Sequence, residues 1–275
     1  MTYVSKTFSY LVKSLRLLVP IALLPALLLG MFSKPMSFIT FIPSYGATDV
    51  KSFGDIAWLI FDKYSFTHIY PVILIFVALT LSCALSLSVI EKHFRIGKLM
   101  LKAPVQDVNS SLFPTLKTLA VMAGIYLAWK FVLTGIATLL HFIISGQGVP
   151  SHINIAVLAV IIAALFLFSL YLCLPSILWS PLMLTFGYSF VDAFIEAPKL
   201  TGKAVFKLLT ALIFPFAIVI LLQCVVEFLP LHIAAVKAIA TVEYLFLIVY
   251  IVSFMMVAAF DLTGLDRRDI KKSYV

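Results

Sequence analysis

The sequence predicts an all-α, polytopic transmembrane helix bundle of about six spanning helices with amphipathic connector helices. Three observations carry that reading: a composition too apolar for water, six apolar runs of spanning length, and basic residues that alternate from side to side of those runs. Of 275 residues, 63% are hydrophobic and 12% charged, against roughly 45–50% and about 25% in soluble domains. Any fold of this size keeps a large surface, so that much apolar area needs a lipid-facing exterior. The 24 phenylalanines suit such an exterior.

The runs fall at about 17–32, 69–90, 119–144, 153–181, 208–228 and 238–260, and they reach or nearly reach the ~20 residues that cross a ~30 Å hydrocarbon core. The chain 1–275 reads as a single membrane domain. The first run is short, holds Pro20 and Pro25, and follows Lys6, Lys13 and Arg16, a pattern shared with secretory signal peptides. Gly30, Met31, Phe32 and Ser33 make a poor cleavage site, so the expectation is a retained helix. Residues 33–68 form a long external loop with a short surface helix expected at 55–61. The link at 145–152 is short and uncharged, which makes the third and fourth spans an antiparallel hairpin.

Orientation follows from the basic residues, which favour cytoplasmic segments. Fifteen lie on one side: Lys6, Lys13 and Arg16 before the first span, five after the second, three after the fourth and four after the sixth. Lys34, Lys51, Lys63 and Lys237 lie on the other. That split places both termini in the cytoplasm and the chain in a cell membrane. It also assigns the net charge of +8 to anionic lipid headgroups as partners, and not to nucleic acid, for which no recognition module is present.

Two basic stretches are amphipathic. In 4–15, Val4, Phe8, Leu11 and Leu15 share a face opposite Lys6, Lys13 and Arg16; in 190–207, Asp192, Glu196, Lys199, Lys203 and Lys207 form a charged stripe. Both read as helices in the headgroup layer, or as the wet first turns of spans. Pro198 and Gly202 are expected to bend or break the second, and Pro175 and Pro181 to kink the end of the fourth span. Prolines within spans require neighbours that satisfy the carbonyls they free.

No nucleotide-binding, hydrolase or metalloprotease motif is present, so the sequence calls for no enzyme activity, cofactor or metal. Glu91 and His93 sit together in the segment expected to be a cytoplasmic loop. His68, His141, His152 and His232 fall at outer ends of spans, where scattered interfacial histidines are the plainer reading than a metal site. Cys83, Cys173 and Cys224 lie in apolar runs without ligand spacing. The sharper signal is charge at membrane depth, which needs a partner. Counting from Lys117 as the inner edge puts Lys130 ~10 Å below the outer face, and counting from Lys237 puts Glu243 ~9 Å below it. The matching depths predict a pair between Lys130 and Glu243, with Glu227 as the competing acid and Gln223 one turn further in. Its role is structural, fixing helix register, or functional, as a coupling site for protons or a charged substrate.

From Pro175 through Pro181, Gly187 and Ala193 to Lys203, a proline-spaced helix end, a small turn and an amphipathic helix with an acidic start and basic end lead into the next span. This stretch of about 50 residues resembles uncharacterised six-helix bacterial inner-membrane proteins related to the membrane domain of glycerophosphodiester phosphodiesterases. The resemblance implies a fold and a location but no activity, since no phosphodiesterase domain is attached. The expected role is a non-enzymatic scaffold, lipid-interacting or accessory membrane component; the alternative is a small transporter or permease subunit with a site near Lys130 and Glu243.

Overall fold

The computed structural model describes residues 2–32, 69–97, 104–145, 160, 164–165, 167–229 and 231–271. Among the described residues there are helices and no strands. They are α1 (Tyr3–Phe32), α2 (Ile69–Ile96), α3 (Pro104–Ser145), α4 (Trp179–Phe186), α5 (Phe190–Gly202), α6 (Val205–Phe228), α7 (Ile233–Thr263) and α8 (Arg268–Lys271). Six helical stretches are long and apolar enough to cross a membrane, the fourth being Leu167–Phe186, which runs into α4 through a 3-10 turn at Leu174–Leu178. The protein is therefore an all-α integral membrane bundle. The 33–68 loop, the surface helix at 55–61, His68, His152 and the 146–152 link lie outside the described residues.

The bundle is apolar on its outer surface as well as in its core. Its interior holds hydroxyls, among them Thr7, Ser14, Ser82, Ser86, Ser111 and Ser253, while Leu24, Ile73, Leu127, Phe131, Leu221 and Val242 are exposed. In water that surface would aggregate; against acyl chains it is the low-energy choice. The first and last spans form the main interface. α1 and α7 run antiparallel, with Lys6 Nζ 2.6 Å from Asp261 Oδ1 at one end. At the other end Gly30 packs on Thr241 so closely that a Cβ would lie 2.9 Å from the Thr241 backbone. α2 packs on α1, and α3 on α2 and the fourth span, with Trp129 and Phe168 in ring contact at 6.0 Å.

Two interior hydroxyls do a specific job. Proline at position i removes the N–H that would bond the carbonyl of i−4, and lipid offers no replacement. Pro25 frees Ile21 O, which accepts from Ser82 Oγ of α2 at 2.9 Å. Pro215 frees Ala211 O, which accepts from Tyr250 Oη of α7 at 3.0 Å. These two interhelical hydrogen bonds thus sit where the backbone has been opened. Ser111 Oγ adds a further tie, donating to Ala84 O at 2.7 Å.

Several helices run past the boundaries read from hydropathy. The amphipathic 4–15 stretch is continuous with the first span, so it is the wet start of α1 and not a separate surface helix. Glu91 and His93 lie on the last turns of α2, not in a loop, and Glu91 pairs with Arg95 at 2.9 Å. α3 starts at Pro104, fifteen positions before the expected 119, and α7 at Ile233, before Lys237. In α3 and α7 an exposed lysine, Lys117 or Lys237, was read as a membrane edge. The second basic stretch divides as α5 and the start of α6, turning at Lys203 and Ala204; α5 continues through Pro198 and ends at Gly202. The 3-10 turn containing Pro175 is the expected interruption of the fourth span.

Ser82→Ala should destabilise the bundle by about 1 kcal/mol, through an unsatisfied Ile21 carbonyl. In a Pro25→Ala background, where residue 25 regains its N–H, the same change should cost close to nothing. Equilibrium unfolding in mixed detergent micelles measures this cycle; additive effects would mean that Ser82 acts through packing alone. Tyr250→Phe against Pro215→Ala gives an independent repeat.

Candidate functional site

The start of α1, the end of α2, the end of α4 and the segment after α7 meet at one end of the bundle, which is also its basic end. Arg95 Nη2 donates to Thr185 O at 2.7 Å, tying α2 to α4. α7 stops at Gly264, where Leu265 N–H turns back to Phe260 O. The chain then folds under the bundle. Arg267 lies over Phe94 at 4.0 Å and over Tyr10 at 5.8 Å. Its Nε and Nη2 donate to the two carboxylate oxygens of Asp269 at 3.1 and 2.8 Å. The side chains of Arg267 and Asp269 are 10% and 4% exposed, so this bidentate pair is largely enclosed. His93 Nδ1 lies 3.2 Å from the Tyr10 hydroxyl, and Phe94 stands edge-on to Tyr10 and Phe260. Gly97, at φ 76°, ends α2 against the carbonyl of Arg268, with only 3.2 Å left for a Cβ. The left-handed φ and the close approach both demand glycine.

α5 lies across the same end. Ser189 and Asp192 form a reciprocal capping box at its N-terminus. Ala193, Ala197 and Thr201, spaced by four, are buried and let the helix sit close on the fourth span, where Trp179 meets Phe190 and Phe194. The outward side combines exposed Val191, Phe194 and Ile195 with Lys199 and Lys203, followed by Phe206 and Lys207 at the start of α6. Lys199 pairs with Glu196 at 2.7 Å.

The remaining basic residues expected at the membrane surface divide by environment. Lys13 and Arg16 are exposed on α1. Lys6 is half-buried, bonded to Asp261 and 5.5 Å from the Tyr3 ring centre.

Toward the opposite end, between α6 and α7, the side chains of Glu243 and Gln223 are buried and hydrogen-bonded, with Gln223 Nε2 donating to Glu243 Oε2. Glu243 thus has Gln223 as its partner. The side chains of Lys130 and Glu227 lie outside the described residues. His232 caps α7, its Nδ1 accepting from Ala234 N–H at 3.3 Å.

Sequence reasoning missed the Arg267–Asp269 latch, counting Arg267 only as a tail cation. The signal was the alternation of Asp266, Arg267, Arg268 and Asp269 directly after a helix-ending glycine. Comparison with protein-family models, curated proteins and solved structures found no match.

Removing one partner of a buried ion pair strands the other, at about 3–5 kcal/mol. Arg267→Ala should therefore lower unfolding stability by that order, and the double change with Asp269→Ala by clearly less. The same single variant should expose the segment after Gly264 to proteolysis. Equal losses in the single and double variants would show that the stacking on Phe94, and not the ion pair, holds the segment.

Proposed function

We propose that this protein is a non-enzymatic, multi-pass component of the cytoplasmic membrane that holds anionic lipid headgroups at its basic end and acts there as a scaffold or accessory subunit. The reading extends the resemblance to membrane domains that accompany, but do not perform, phosphodiesterase chemistry. The observation that carries it is α5. Its small-residue face is used up against the fourth span, so its apolar outer residues are left for acyl chains and its lysines for phosphates. Lysine side chains of this length reach the headgroup layer while their stems stay in the apolar zone. The exposed Lys13 and Arg16 of α1 extend the basic surface in the same part of the bundle.

Each lysine near an anionic surface contributes about 1 kcal/mol. Replacing Lys199, Lys203 and Lys207 by glutamine should therefore weaken anionic-lipid retention by roughly two orders of magnitude. Native mass spectrometry of protein exchanged between phosphatidylglycerol and phosphatidylcholine measures this. An unchanged preference for the anionic lipid in the triple variant would reject α5 as the site. Orientation has its own check: a cysteine at Lys203 should be labelled from the cytoplasmic side and one at Lys237 from the opposite side. The reverse labelling would invert the proposed topology.

A further inference from the structure

We propose that Glu243 and Gln223 form an intramembrane proton-binding site, in which Glu243 carries an exchangeable proton on Oε1 and shares it with Gln223 Oε1. This goes beyond the lipid-holding role, concerns the other end of the bundle, and stands or falls without it.

The argument is an inventory of donors and acceptors. Both side chains are only 4% exposed. Gln223 Nε2 donates to Glu243 Oε2. Two buried oxygens remain without a hydrogen-bond partner: Gln223 Oε1 and Glu243 Oε1. An ionised carboxylate only accepts, and so does an amide carbonyl, so with Glu243 charged the two orphans have nothing to give each other. Turning the amide over does not help, because it sets the carbonyl against the carboxylate. One proton resolves both. On Glu243 Oε1 it becomes a donor, Gln223 Oε1 becomes its acceptor, and acid and amide close a cyclic pair of two hydrogen bonds. No other atom is needed, and nothing else is bonded or broken.

The alternative for a buried carboxylate is a cation, and among the described residues the facing elements supply none nearby. α1 carries no ionisable side chain between Leu17 and Phe32; its titratable groups, from Tyr3 to Arg16, belong to the basic end. α2 offers Tyr70 and Cys83 on the facing stretch, and α6 offers Cys224 and the acidic Glu227. α7 itself has Tyr244, Tyr250 and, six residues toward the helix start, the exposed Lys237. Asp192, Glu196 and Lys199 of α5 lie at the basic end. The side chain of Lys130 on α3 lies outside the described residues. Among the described residues no cation pairs with Glu243. A charge left unpaired in hydrocarbon is costly enough that neutralisation by a proton is the cheaper state.

The test is infrared spectroscopy of the full chain in lipid bilayers, titrated with pH. The C=O stretch of a protonated carboxylic acid should persist at neutral pH, shift on exchange into D2O, and be absent from Glu243→Gln. That variant is isosteric and keeps an amide–amide pair, so it should fold; Gln223→Leu should move the band, since the acid loses its acceptor. On unmodified protein, a hydrophobic carbodiimide, which attacks protonated carboxyls, should label Glu243, with labelling falling as pH rises. The proposal is overturned if the band is missing at neutral pH or unaffected in Glu243→Gln. It is equally overturned if the band emerges only in Lys130→Met, since Glu243 would then be an ionised partner of Lys130.

Discussion

A backbone carbonyl exposed to hydrocarbon has no solvent to bond, and the architecture of this bundle follows from that constraint. Six helices satisfy their own ladders except where proline opens them. At Pro25 and Pro215 the repair comes from another helix, through Ser82 and Tyr250. Those residues fix the register of α2 on α1 and of α7 on α6, since a shift of one turn would move the hydroxyl away from its carbonyl. With lipid outside, apolar side chains gain little by turning inward, and interior hydroxyls such as those of Ser82, Ser111 and Tyr250 gain a partner on a neighbouring helix. Gly30 on Thr241 shows the same economy at the backbone level, where close approach substitutes for side-chain bulk.

Charge is handled differently at the two ends. At the basic end, ion pairs and aromatic faces absorb it: Lys6 with Asp261, and Arg267 with Asp269 beneath Phe94 and Tyr10. The arginine is shielded above by a ring and held in plane by a carboxylate fork, the geometry that suits a planar, delocalised cation. At the other end Glu243 meets an amide instead of a cation. One end is built to hold charge near water, and the other contains a carboxyl group enclosed by helices.

Much of this was legible in the sequence. Apolar runs gave the number of spans, and the alternation of lysine and arginine foretold that the start of α1, the end of α2, the end of α4 and the segment after α7 would meet at one end. Boundaries were less legible because hydropathy marks the hydrocarbon and not the helix. Lys117 and Lys237 occupy exposed faces of helices that begin earlier, so neither marks a helix start. The burial of Glu243 could be anticipated from its position, but its choice of Gln223 depends on the packing angle of α6 on α7, which no local pattern encodes. The latch after Gly264 depends on α2 and α1 surfaces hundreds of residues away, and was invisible for the same reason.

The main interface joins the first span to the last, and Lys6 and Asp261 are separated by 255 residues. At translation rates of about 5–20 residues per second, α1 waits on the order of tens of seconds in the bilayer before α7 emerges. During that interval Gly30 has no Thr241 against which to pack, and Lys6 no Asp261. Nascent-chain quality control in the membrane would meet α1 as an unpaired helix with a polar seam, and α7 is the segment that ends its exposure. Ribosome stalling or truncation before residue 233 would leave a span that is inserted but not assembled.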